Sequence, residues 1–129
     1  MKLFLDDIRM PDDCLLYMYN TPGFDATIYT EEWTVVTNYD EFVQAVKENK
    51  GNITHVSFDH DLSEEHYHPD MYRGTEIYNA LYPTFKDKTG YDCAKWFKNY
   101  YTENKLQLPE IITHTQNPAG RENITNLFY

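Results

Sequence analysis

Ile53-Thr54-His55-Val56-Ser57-Phe58-Asp59-His60-Asp61-Leu62 is the stretch whose reading decides the fold. Ile53 to Phe58 reads as a short buried strand, and it stops at the polar group Asp59, His60 and Asp61, as a parallel strand does on reaching the rim of its sheet. The chain opens in the same way, with Lys2-Leu3-Phe4-Leu5 running into Asp6-Asp7. Trp33 to Thr37 is β-branched and aromatic and reads as a further strand. So does Glu110 to Thr113, which follows Pro109 and ends at His114.

Helical patterns separate these strands. Asn38 and Glu41 have capping-box spacing, Tyr39, Phe42, Val43 and Val46 share one helical face, and Lys50-Gly51-Asn52 supplies the stop. Thr89 and Asp92 repeat the capping spacing, and Ala94, Phe97 and Tyr101 predict a helix from about Gly90 to Asn104. A last short helix is expected from near Gly120-Arg121 to the terminus. Residues 10–32 carry Pro11, Pro22 and Gly23 without a clean period, which predicts a short helix or a loop. Residues 63–90 read as an insertion, with helical turns over Thr75 to Leu81 ended by Pro83. The alternation predicts a single α/β domain over residues 1–129. It has three layers around a mostly parallel sheet of about four strands in the order 2-1-3-4, with a ligand crevice between the first and third strands.

Composition narrows the function classes. A chain of 129 residues with 41% hydrophobic, 16% aromatic and 25% charged residues can bury a real core without staples. The opening apolar run meets acids too soon for a signal-peptide core, and no run approaches the ~20 residues of a membrane span, so a cytoplasmic protein is expected. Cys14 and Cys93 lack metal or disulfide spacing and read as free thiols. Asn52-Ile53-Thr54 and Asn123-Ile124-Thr125 match the glycosylation pattern, which carries meaning only in secreted chains. A net charge of -10 argues against binding in a duplex DNA groove. A small phosphorylated nucleotide or an RNA terminus, held by a few local cations or a metal, remains compatible with that charge.

Chemistry is expected where the strand ends converge. Asp6, Asp7, Asp59 and Asp61 would raise one another's pKa in one crevice unless a cation such as Mg²⁺ or Mn²⁺ neutralised them, so the four are candidate metal ligands. Each alone would more often cap a turn. His60 and His114 end neighbouring strands and could exchange protons in phosphoester chemistry; the alternative for each is a core histidine bonded to backbone. Strand alternation turns His60 away from Asp59 and Asp61. Arg9 and Arg121 suit phosphate oxygens, Arg121 beside the N-terminus of the last helix, although a surface ion pair would explain Arg121 equally well. His66 and His68, with Glu64, Glu65 and Asp70, read as a solvated loop without zinc spacing.

Four segments together resemble the cyclic-phosphate processing receiver domain family: LFLDDIR at 3–9, VSFDHDL at 56–62, TGYDCAKWF at 89–97 and THTQNPAGREN at 113–123. Their order and spacing carry the likeness; residues 10–32 and 63–88 carry little of it. The resemblance implies a degenerate receiver-like, flavodoxin-like fold. It also implies a phosphoesterase acting on cyclic phosphates of nucleotides or RNA ends, such as 2′,3′-cyclic phosphates, in bacterial or phage RNA repair or phage–host conflict. The family's motif residues correspond to Asp6, Asp7, Arg9, Asp59, His60, Asp61, His114, Asn117, Gly120 and Asn123. His114, His60 and Asp59 are then the catalytic candidates, and Arg9, Asn117, Gly120, Arg121 and Asn123 the substrate-binding ones. Thr115-Gln116 departs from the small residues expected after the histidine. Two other readings stand beside this one: a module that binds a cyclic nucleotide or a host protein without turnover, and a divergent phospho-receiver. In the latter Asp59 would accept the phosphoryl group and Thr113 or Thr115 would sense it. The fifth strand and lysine of an ordinary receiver are not found, which argues against that last reading.

Overall fold

A computed structural model describes residues 1–62 and 88–129. Its elements run β1 (Lys2–Leu5), α1 (Pro11–Met18), a 3₁₀ helix (Ala26–Thr30), β2 (Thr34–Val36), α2 (Tyr39–Glu48), β3 (His55–Phe58), α3 (Gly90–Glu103), β4 (Glu110–Thr113) and α4 (Pro118–Phe128). All pairings are parallel and the strand order is β2-β1-β3-β4, as the alternation of strands and helices predicts. The expected helical turns at Thr75 to Leu81, and His66, His68, Glu64, Glu65 and Asp70, lie outside the described residues.

Local chemistry accounts for where the helices start. Asn38 Oδ1 accepts from the Glu41 amide at 2.9 Å, satisfying one of the amide groups that a helix start leaves open. Thr89 and Asp92 form the reciprocal cap of α3, each side chain accepting from the other's backbone N–H. Pro11 and Pro118 stand at the starts of α1 and α4, where a missing amide hydrogen costs nothing. That is why α4 begins two residues before Gly120, earlier than the sequence pattern indicates, with Asn117 accepting from the Gly120 amide at 3.0 Å. Past the end of α2, Gly51 turns the chain with φ of 83°, a region that favours glycine. The paired strands β2 and β3 are shorter than the apolar runs that announce them, beginning at Thr34 and His55.

The sheet separates two apolar layers. Leu3, Leu5, Val56, Phe58 and Ile111 pack with Phe42, Val46, Ala94, Phe97, Tyr101 and Ile124 from α2, α3 and α4. Phe4 and Ile112 point the other way, onto Cys14 and Met18 of α1 and Ala26 and Tyr29 of the 3₁₀ helix. Alternation along each strand dictates this division. Phe4, Phe58 and Phe97 are wholly buried, and each contributes roughly 1.5–3 kcal/mol of transfer free energy. No helix among the described residues is long and apolar enough to cross a membrane.

Candidate functional site

Register, more than proximity in sequence, assembles the site. Phe4, Ser57 and Ile112 are partners across β1, β3 and β4. Two residues further along each strand, on the same face, stand Asp6, Asp59 and His114. The ladder continues to them through Asp59 N–H to Leu5 O at 2.9 Å and His114 N–H to Phe58 O at 3.0 Å. One row at the carboxyl edge of a parallel sheet therefore holds two aspartates and a histidine, all buried. This is the edge at which open α/β sheets bind ligands.

Within the row, the charges are unevenly satisfied. Asp6 Oδ1 accepts from the backbone N–H of Ile8 at 2.9 Å and of Arg9 at 3.0 Å, and Oδ2 lies 3.0 Å from His114 Nε2. Burial opposes ionisation of Asp6, but the hydrogen bonds from His114, Ile8 and Arg9 hold its pKa below the ordinary carboxylate range. His114 is completely buried, stacked on Phe4 at 4.4 Å with an interplanar angle of 5°. Burial pushes its pKa down despite the pull of Asp6. Asp59 is the misfit: neither carboxylate oxygen has a hydrogen-bond partner among the described residues. Burial, then the charge of Asp6, raises its pKa to about 8, with Arg9 offsetting part of the effect.

Among the described residues, Arg9 brings a cation to the row. Its Nη1 donates to Tyr17 Oη at 3.0 Å and lies 3.9 Å from Asp6 Oδ2. Burial works against its charge, but Tyr17, Asp59 and Asp6 keep its pKa above the ordinary value. Tyr17 in turn donates to the carbonyl of His114, so α1 ties the cation to the end of β4.

One residue beyond the row, the chain faces the other side of the sheet, and a second set forms. His60 is wholly buried, with Nδ1 at 2.9 Å from Asp61 Oδ1. Asn117 Nδ2 reaches both of them at 3.4 Å. Gly120 and Gly90 allow this closeness. A Cβ on Gly120 would stand 2.4 Å from His60 Cγ, and one on Gly90 would stand 1.6 Å from the Asp59 carbonyl oxygen. The separation of His60 from Asp59 agrees with strand alternation; its closeness to Asp61 does not, because the chain has left β3 by then.

Other expected site residues are placed differently. Arg121 is exposed, and its guanidinium turns back to the Thr115 carbonyl at 2.7 Å. Asn123 lies in the second turn of α4, half-buried, and Asp7 is half-buried beside the row. Three residues that the sequence reading passes over join the site: Tyr17, Tyr29 and Ser57. A lone hydroxyl in the middle of a buried strand, in phase with Asp59, is the signal that could have found Ser57. Nothing comparable marks the two tyrosines, which lie where the sequence has no period.

Asp6, Asp59 and His114 each offer a ligand atom, all within 4.8 Å of one another, so the three could hold a metal ion. The open oxygens of Asp59 fit a hard cation. Both ring nitrogens of His114 already have partners, so its ligation would displace one of them. Asp61 is engaged with His60 and Asn117 instead.

A family model described as the cyclic-phosphate processing receiver domain matches residues 1–129. No curated protein and no solved structure matches the chain. With motif residues at one carboxyl edge, a 2-1-3-4 parallel sheet and a match along its whole length, the chain belongs to the cyclic-phosphate processing receiver domain family.

Proposed function

We propose that the chain is a phosphoesterase that opens cyclic phosphates of nucleotides or RNA ends, 2′,3′-cyclic phosphates foremost, in bacterial or phage RNA repair or phage–host conflict. The observation that carries this reading is Asp59, a buried carboxyl with open oxygens set against Asp6, His114 and Arg9. Such a group is costly to keep and suits proton transfer near neutral pH.

In the proposed reaction, water adds to phosphorus, one ring P–O bond breaks, and the product is a phosphomonoester with a free hydroxyl. The Asp6–His114 pair, acting as a unit, takes the proton from water, and Asp59 delivers one to the departing oxygen. Arg9 holds the non-bridging oxygens, and the N-terminus of α4 faces the same edge. His60 acts here as a positioning residue that keeps Asp61 and Asn117 in place. Should Mg²⁺ or Mn²⁺ bind, Asp6 and Asp59, the latter then ionised and no longer a proton donor, would hold it, and it would supply charge neutralisation at the phosphate.

The test is a panel of 2′,3′- and 3′,5′-cyclic mononucleotides and RNA ends, incubated with the protein in Mg²⁺, Mn²⁺ or chelator. Ring opening to a phosphomonoester, lost in His114→Ala, is expected. Stoichiometric binding without product under every condition would replace the enzyme by a binding module, and labelling of Asp59 by a small phosphodonor would favour the phospho-receiver.

A further inference from the structure

The residues behind His114 form a continuous polar path through an otherwise apolar layer. Tyr29 Oη lies 2.8 Å from Ser57 Oγ, Ser57 Oγ lies 2.7 Å from His114 Nδ1, and His114 Nε2 lies 3.0 Å from Asp6 Oδ2. Tyr29, Ser57 and His114 are each at most 1% exposed. Around them stand Phe4, Phe24 and Trp33, which offer no oxygen acceptor.

The directions of these bonds follow from counting donors. Asp6 already accepts from two backbone N–H groups on Oδ1, as an ionised carboxylate does, and a carboxylate can only accept from His114. Nε2 therefore carries a proton. In a neutral ring Nδ1 is then bare, so the Ser57 hydroxyl must donate to it, which uses the only proton of Ser57. Tyr29 must donate to Ser57. Reversing the chain would set the Nε2 lone pair against the carboxylate and leave the Tyr29 proton without an acceptor among the described residues. A doubly protonated ring would donate from Nδ1 to Ser57 and leave either the Ser57 or the Tyr29 hydroxyl proton without an acceptor among the described residues.

We infer that Ser57 and Tyr29 are positioning residues for the site. Their hydroxyls, donating in one direction, fix the tautomer and tilt of His114, so that its Nε2–H holds Asp6 beside Asp59. Phe4 supplies the flat wall against which the ring lies, and Tyr17 anchors the backbone carbonyl of the same residue. A partner behind an imidazole that sets which nitrogen bears the proton is a general device for ordering a site. The inference takes from the proposed function only that Asp6 and His114 work in it.

The experiment is ¹⁵N NMR of the histidine rings in the full chain, with turnover of a 2′,3′-cyclic mononucleotide measured in parallel. Expected is a neutral His114 with Nε2 protonated and Nδ1 bare. Ser57→Ala should move the Nδ1 resonance and lower kcat on the order of tenfold or more with KM little changed. Ser57→Thr, which keeps the hydroxyl, should restore both. Tyr29→Phe, which keeps the ring, should shift Nδ1 less in the same direction. A wild-type spectrum with Nδ1 protonated, or Ser57→Ala with His114 signals unchanged, would overturn the inference. A normal spectrum that responds to Ser57→Ala, together with no turnover by wild type, would sink the proposed function while leaving the relay standing.

Discussion

Two polar sets share the carboxyl edge of the sheet, and they are built on opposite plans. His60, Asp61 and Asn117 are knitted together by hydrogen bonds and pressed against Gly120. Asp6, Asp59 and His114 lie one residue back on the other face, and there Asp59 is left without a hydrogen-bond partner among the described residues. The first plan stabilises a turn from β3 and the start of α4. The second keeps a carboxyl in a place that burial and a neighbouring charge disfavour, which structure alone does not require. Changes in the knitted set should therefore cost stability, and changes in the row should cost activity.

The largest disturbance is expected at the joint of the two sets. Gly90→Ala would drive a Cβ to 1.6 Å from the Asp59 carbonyl oxygen and 2.9 Å from His60 Cα. A loss of about 3 kcal/mol or more is expected in denaturant unfolding. A wild-type midpoint in this variant would show that α3 does not pack on the site as described.

Next in size is the pH response of Asp59. Its folded pKa, about 8, lies above the ordinary ~3.9 of an unfolded chain. The folded state therefore keeps a proton that the unfolded state has lost, and stability falls as pH rises from about 4 to about 8. Asp59→Asn should remove that slope and stabilise the protein above pH 8 by on the order of 1–3 kcal/mol. Parallel pH–stability curves for the two proteins would contradict it.

A smaller effect is expected from Asn117→Ala, which removes the cap of α4 and the contacts to His60 and Asp61. About 1–2 kcal/mol of stability should be lost, with turnover per folded molecule nearly kept. Thermal unfolding and an activity assay on the same sample check the split. A large fall in kcat without destabilisation would move Asn117 from the knitted set to the chemistry.

The smallest is Tyr17→Phe, which frees Arg9 from its hydroxyl partner and the His114 carbonyl from its donor. Stability should drop by about 0.5–1.5 kcal/mol, and KM for a cyclic phosphate should rise more than kcat falls. An unchanged KM would mean that Arg9 is not aligned by α1.

Much of this was legible in the residues. Lys2 to Leu5 and Ile53 to Phe58, each ending in acids, marked the central strands, and the cap spacings of Asn38 with Glu41 and Thr89 with Asp92 marked where two helices start. Crossover handedness then ordered the strands. Register was not legible: a sequence does not say which residue of β1 stands beside which of β3. Asp6, Asp7, Asp59 and Asp61 consequently read as one group, whereas two of them share a row with His114 and Asp61 bonds to His60. Tyr17 and Tyr29 were beyond reach for another reason. They reach the site from α1 and the 3₁₀ helix, elements set by Pro11, Asp25 and tertiary packing rather than by an apolar period.

The central claim, that the unsatisfied row carries the chemistry, is tested most directly by comparing wild type with Asp59→Asn on a 2′,3′-cyclic mononucleotide at neutral pH. Product is followed by ³¹P NMR and folding by circular dichroism. Expected is ring opening by wild type and a loss of about 10²–10⁴-fold in Asp59→Asn, which remains folded. Turnover by Asp59→Asn at the wild-type rate would contradict the claim.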